Sequence, residues 1–303
     1  MAHFRDRRAF GSVGTRRFRG ARFGDALSPR FEGLLDLYPG AAAAYSLRAL
    51  TSGWLAGDVV EVRRSSDSTT DTFTASQITN GDLVAFCGVG DGFVSTWYDQ
   101  SGNGKDATQA TTTAQPKIVD AGALVTGGLD FDGVDDQLDL SGTGLDIFKN
   151  VGYGQAFAVA TSDETGLATA NILGASTGLG VTRFLISESN VTAGSFRFGG
   201  RRLDADAFDS TTASVAHGNT EKLVTGFANW TDAEAYLYQN GSNVGTDLSF
   251  QTAGNTSNTS STSLRVGFGN FDGRIREIIV YNTDQTANRV AIETNINDHY
   301  NIY

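Results

Sequence analysis

Along residues 58–282 the chain reads as short segments: DVVEVRR, GFVSTWY, QAFAVAT, RFLISES, GSFRFGG, KLVTGFANW, AYLYQNG, SLRVGFG and RIREIIVYN. Gly, Asn or Asp stands between them, and no long helical stretch does. Many alternate at period two. Phe93, Ser95 and Trp97 share one side of a strand, and Val94, Thr96 and Tyr98 share the other. Short strands in succession, with no room for crossover helices, pair antiparallel. The expected fold is therefore all-β, an antiparallel β-sandwich. A composition of 37 Gly and only three Pro, rich in Thr, Ser and Asn, suits many strands joined by glycine turns. Asn240-Gly241, between AYLYQ and the next segment, is the strongest hairpin signal in the chain.

Helices are expected at three places. AAAAYSLRALTSG reads as a short N-terminal helix stopped by Gly53. Residues 80–87 read as a helical turn capped by Asn80, with Leu83, Phe86 and Cys87 facing inward. TDQTANRVAIETNINDHYNIY reads as a C-terminal helix capped at Thr283 or Asp284. Its Ile292, Ile296 and Tyr300 lie at spacing four and pack on the sandwich.

Charge divides the chain in two. Residues 1–30 carry eight Arg against Asp6 and Asp25, a net of +6; since the whole chain carries −11, the remainder carries −17. Arg and Phe alternate in the basic stretch, and glycines interrupt any helical or strand period, so it gains order only by docking. Residues 1–37 are accordingly read as an extended anchoring arm, and residues 38–303 as one sandwich domain. The anchoring residues are Arg5, Arg7, Arg8, Phe10, Arg16, Arg17, Phe18, Arg19, Arg22 and Phe23. Nucleic-acid contact, an organelle transit peptide and a solvated tail are the competing readings of the arm. The acidic body is not expected to bind nucleic acid. No apolar run reaches the roughly 18 residues of a membrane span. No apolar h-region follows Met1, so the sequons at Asn190, Asn229, Asn240, Asn255 and Asn258 are expected to be incidental. Cys87, the single cysteine, can form no intrachain disulfide and is read as core.

Candidate chemistry is sparse. Asp99-x-Ser101-x-Asn103-Gly104 matches the opening of a calcium loop, but the twelfth position is Ala110 instead of the bidentate Glu. Calcium in another geometry would use Asp99 and Asn103, or Asp132 and Asp135 with Asp130 and Asp136 beside them in LDFDGVDDQLDL; the plainer reading of that stretch is an acidic hairpin. Three scattered His and one Cys give no zinc spacing. A glycosidase needs two carboxylates facing one another, roughly 5–9.5 Å apart. Asp204 with Asp206, Asp130 with Asp132, and Glu61 are the nearest candidates, and none forms a convincing pair. No catalytic residue is assigned. Trp54, Trp97, Tyr153 and Trp230 are the aromatics that could stack on sugar rings, although each is more readily read as core, since large aromatics are usually buried.

AYSLRAL at 44–50, VVEVRRSSD at 59–67 and WYDQSGNGKDATQ at 97–109 resemble the start of the fungal-type α-L-arabinofuranosidase catalytic domain, a concanavalin A-like sandwich. LDFDGVDDQLDL, LYQNGSNVGT and GRIREIIVYN resemble the laminin-G and concanavalin A-like lectin superfamily. With YPGAAAAYSLR and IETNINDHYNIY, the stretch from about 38 to 303 looks like a domain common in bacteriophage virion proteins. The resemblance implies a concanavalin A-like jelly roll in which the Tyr-Asp-Gln-Ser-Gly-Asn-Gly turn is architecture, braced by Asp99 and Asn103. It also implies a virion surface protein made in the host cytoplasm. Such a protein would be a head decoration or fibre, or a tail fibre, held to other virion proteins by its arm, and a homo-oligomer such as a trimer. Host-surface polysaccharide is its expected ligand. An arabinofuranosidase-like glycoside hydrolase and a non-viral lectin module are the alternatives.

Overall fold

The structure is a computed structural model and describes residues 31–167, 170–177 and 180–303. The ten arm residues named above lie outside the described residues. The compact body begins at Glu32. Helix α1 (Leu34–Leu37) already belongs to it, with Leu34 and Leu35 buried, so the sandwich starts before residue 38.

After α1 come strand β1 (Ala43–Ser46), a 3-10 turn at Ser52–Trp54, and the hairpin of β2 (Asp58–Arg64) and β3 (Thr70–Thr74). Helices α2 (Ala75–Thr79) and α3 (Asp82–Cys87) precede β4 (Gly92–Trp97). Next come β5 (Ala107–Thr108), β6 (Lys117–Asp120), β7 (Ala123–Leu124), β8 (Leu129–Asp132) and β9 (Leu138–Leu145). The central strands are β10 (Tyr153–Ser162), β11 (Asn171–Thr177), β12 (Thr182–Glu188), β13 (Phe196–Gly200) and β14 (Asp209–Thr212). The last are β15 (Lys222–Asn229), β16 (Glu234–Gln239), β17 (Ser242–Asp247), β18 (Ser261–Phe268) and β19 (Asp272–Tyr281), before helix α4 (Arg289–Tyr300).

Antiparallel pairing builds two layers. One runs β17-β16-β15-β10-β19-β1, the other β9-β18-β11-β12-β13-β14. The β3-β2-β4 ribbon joins them through β5 to β9 and through β6 and β8 to β19. The main core lies between the layers and includes Ala156, Ala158, Ala160, Phe184, Ile186 and Trp230. A second core lies under α1 and α4, where Phe157, Val159 and Ile279 meet Leu34, Ile292 and Ile296. Strand β10 is thus buried on both faces, which explains its nearly unbroken apolar run.

The segment expected to be an N-terminal helix is strand β1. Paired with β19, it sends Ala43 and Tyr45 into the main core and Ala44 into the helix-covered one. Small side chains suit a strand enclosed on both faces, and tertiary pairing overrides alanine's helix propensity. The two other expected helices exist with shifted starts. Gly81 precedes α3, while Asn80 accepts the Asp82 N–H at 3.0 Å. Helix α4 starts after Asn288, and Asp284 instead accepts the N–H of Thr286 in its own turn. The 129–140 stretch is not a hairpin: β8 pairs with β19 and β6, and β9 with β18 and β5. Asn240 and Gly241 both have positive φ, 52° and 75°, as a type I′ hairpin tip requires.

Candidate functional site

The Asp99–Asn103 turn is a brace. The Asp99 carboxylate accepts from the Ala44, Ser101 and Lys105 N–H groups at 2.9–3.0 Å and from the Ser101 hydroxyl at 2.8 Å. Asn103 Nδ2 donates to the Ala41 carbonyl at 3.0 Å, and Gln100 is bonded to Ser46, Arg48 and Leu50. Four donors fill the Asp99 oxygens, so Asp99 and Asn103 are set to hold β1 rather than the calcium ion considered for them. The aromatics divide. Trp97 and Trp230 are fully buried, and Trp230 packs edge-on to Phe148 at 5.9 Å. Neither offers a face to a ligand. Trp54 is half-buried and donates to the Asp58 carbonyl; Tyr153 is half-buried and lies parallel to Phe227. Asp204 is bound by the buried Arg183 and by Thr259, and Asp206 accepts the Leu203 N–H, so this pair serves the 201–207 loop.

A cleft opens where β4, β6 and β8 lie side by side. It has a volume of about 450 Å³ and is lined by Phe93, Thr112, Thr113, Gln115, Lys117, Asp130, Asp132 and Asp136. Strand alternation places these side chains: Leu129 and Phe131 point into the core, so Asp130 and Asp132 point out. Register then aligns a row across five strands. Arg63 is opposite Phe93, Phe93 opposite Lys117, Lys117 opposite Asp130, and Asp130 opposite Arg274. The Arg63 guanidinium sits 4.8 Å from the centre of the Phe93 ring, and the Lys117 ammonium 6.0 Å from it.

The carboxylates gather at one end of the cleft. Asp132 Oδ1 accepts the Val134 N–H at 2.8 Å, and Asp136 Oδ2 accepts the Asp132 N–H at 3.1 Å. Oxygens of Asp132, Asp135 and Asp136 lie within 4.8 Å of one another, and these three could share a cation. Burial, then repulsion from Asp132, pushes the Asp136 carboxyl up to about 7. Burial also raises Asp130, against the opposing pull of Arg274 and Lys117. The cleft can therefore accept several hydroxyl protons and, through Asp136, hold a proton near neutrality.

A second titratable group lies at the end of β12. Glu188 and His217 are fully buried, with Glu188 Oε2 at 3.2 Å from His217 Nε2. Because Nδ1 accepts the Asn219 N–H at 3.2 Å, the proton sits on Nε2 and is donated to Glu188. Among the described residues Glu188 Oε1 has no partner. Burial, then the charges of Asp272 and Glu188, raises the nearby Glu164 carboxyl. The sequence reading missed this group because its members come from separate strands and loops, and only the fold brings them together.

No family model matches the chain, and no curated protein does. Among solved structures it is similar to a GH54 α-L-arabinofuranosidase soaked with a cyclic sulfate inhibitor, at TM-score 0.54 and 16% identity. It is equally similar to an arabinofuranosidase complexed with arabinofuranosyl-α-1,2-xylobiose, at TM-score 0.55 and 15% identity. Both alignments cover 84% of this chain and 62% of the other, so the chain spans less than two thirds of those proteins. A Trypanosoma rangeli sialidase aligns at TM-score 0.45 and 19% identity, over 65% of this chain and 30% of that one. At such identities the likeness to the arabinofuranosidases is one of fold.

Proposed function

We propose that this chain is a glycan-binding β-sandwich and that the cleft beside Phe93 takes the sugar. The observation that carries this reading is the cleft itself. Three carboxylates and two threonines meet one half-buried aromatic ring in a cavity of about 450 Å³. That combination of hydrogen-bonding groups with an apolar wall fits a hydroxyl-rich ligand. A glycan array probed with the full chain tests it. Binding should appear and fall at least tenfold in the Phe93→Ala and Asp136→Asn variants. A folded protein that ignores every glycan would end this reading.

The finer form places the sandwich on a virion surface, as a decoration or fibre held by the Arg/Phe arm to other virion proteins. Support comes from the sequence resemblance to virion domains and from the charge contrast between arm and body. Many copies would make a weak, shallow site effective. Removing residues 1–30 should abolish particle association without changing the melting temperature.

Hydrolysis is the second reading, favoured by the Asp136 carboxyl near 7 and by the buried Glu188–His217 pair. It predicts reducing-sugar release from the bound glycan, lost in Asp136→Asn or Glu188→Gln. Binding without release favours the first reading.

A further inference from the structure

We infer that the cleft selects uncharged, polyhydroxylated sugars and rejects their acidic counterparts, the uronates, sialates and sulfated sugars. This inference rests on the reading of the cleft as a glycan site and adds the class of glycan. Asp130, Asp132 and Asp136 line the cavity, and Asp135 joins the last two at its rim. The cations around them are already engaged. The Lys117 ammonium bonds Asp120 at 2.8 Å and lies 3.6 Å from Asp91. Arg63 donates to Gln115 Oε1 at 2.8 Å and to the Thr112 carbonyl at 3.0 Å, which ties it into the cleft wall. Arg274, beside Asp130 in the register, forks onto Asp163 at 2.9 and 3.0 Å.

Among the described residues the lining holds three carboxylates against one ammonium, Lys117, which Asp120 and Asp91 already share. Arg63, bonded to neutral acceptors at the wall, adds a single uncompensated charge. The carboxylates outnumber the cations that could receive an anionic group, and several carboxylate oxygens face the cavity. Asp136 shows this most clearly. It is 8% exposed, and its Oδ2 holds the Asp132 N–H, but its Oδ1 accepts no hydrogen bond from any described residue. Among the described residues Asp130 likewise has neither a hydrogen-bond donor to its carboxylate nor an ion pair within 4.0 Å, and Arg274 and Lys117 act on it only through space. Free carboxylate oxygens are satisfied by hydroxyl donors, and adjacent hydroxyls on a sugar ring can supply two at once. A second carboxylate or a sulfate would supply none, and would add like charge to a group of acids already close together. The Thr112 and Thr113 hydroxyls, both exposed, can donate to ring or glycosidic oxygens, and Phe93 offers a surface to sugar C–H groups.

The test is an array on which each neutral oligosaccharide is printed beside its uronic, sialylated or sulfated counterpart, read with the full chain at pH 8, where Asp136 is ionised, in EDTA and again in calcium. Neutral members should bind at least tenfold more tightly than their acidic partners in both buffers. Asp135→Asn, a change at an exposed position, should narrow that gap several-fold. Equal or tighter binding of the acidic partners overturns the inference while leaving the glycan reading in place. So does acidic-sugar binding that appears only with calcium, because a bridging cation would then set the selectivity. A gap unchanged in Asp135→Asn also counts against it. Silence across the whole array removes both the inference and the reading beneath it.

Discussion

Lys117 stands directly opposite Asp130 across β6 and β8, yet its ammonium bonds Asp120, three residues along its own strand, at 2.8 Å. The carboxylate that register would pair with a lysine is left facing the cleft. This misdirected lysine is what makes the cleft an acceptor surface rather than a closed ion pair.

Asp130→Asn should therefore weaken glycan binding about tenfold and leave stability nearly unchanged, because no ion pair is lost. Calorimetric titration with the best array ligand, beside a thermal melt, checks it. A large drop in melting temperature with unchanged affinity would make Asp130 structural.

Asp136 gives a pH signature. Its folded-state carboxyl lies near 7, above the ordinary 3.8, so the folded chain holds a proton there that the unfolded chain releases. This contribution to stability is fully present below pH ~4 and is lost as pH rises towards 7, at most about 4 kcal/mol. The stability of the parent relative to Asp136→Asn should be greatest near pH 4 and shrink steadily up to pH 8 in paired denaturant melts. A difference that stays flat across that range contradicts the assignment.

Glu277 should behave in the opposite sense. Burial alone would raise its pKa, but Arg48, Ser46 and Tyr300 all bond the carboxylate and hold it below the usual range. Its contribution is present above pH ~4.3 and is lost as pH falls through the lower folded value. Glu277→Gln strands the largely buried Arg48 and should cost about 3–5 kcal/mol by urea denaturation.

Trp230→Phe should lower stability by about 1–3 kcal/mol through lost packing. It should leave glycan affinity unchanged while the protein is folded, since the indole is fully buried. Gly154→Ala attacks the same contact, because an added Cβ would lie 2.9 Å from the rings of both Phe148 and Trp230.

Much of the sandwich was legible because strand alternation and glycine turns are local signals. GFVSTWY and RIREIIVYN appear as β4 and β19, and Asn240-Gly241 turns a hairpin as expected. The expected alternation in β4, however, breaks at a bulge that skips Ser95 opposite β2, so Trp97 joins Val94 in the core while Phe93 faces the cleft. Ala43–Ser46 was misread because helix propensity is also local, whereas the pairing with Val280–Glu277 that overrides it is not. The cleft was only half visible. Asp130, Asp132 and Asp135 stood out as an acidic run, but the row from Arg63 through Phe93 and Lys117 depends on register between distant strands. Core and platform both stood open for Trp230, with core the plainer reading, because residue type alone carries no burial. Gly154 beneath it is the signal, and it becomes readable only once β10 and the residue after β15 are placed together.

The most direct measurement is a crystal structure of the full chain soaked with the tightest-binding neutral oligosaccharide from the array. Sugar density between Phe93 and Asp136, with ring hydroxyls on the Asp130 and Asp136 carboxylates, is the predicted result. Density elsewhere, for example at the Glu188 end of β12, with the Phe93 cleft filled only by solvent, would contradict the assignment of the site.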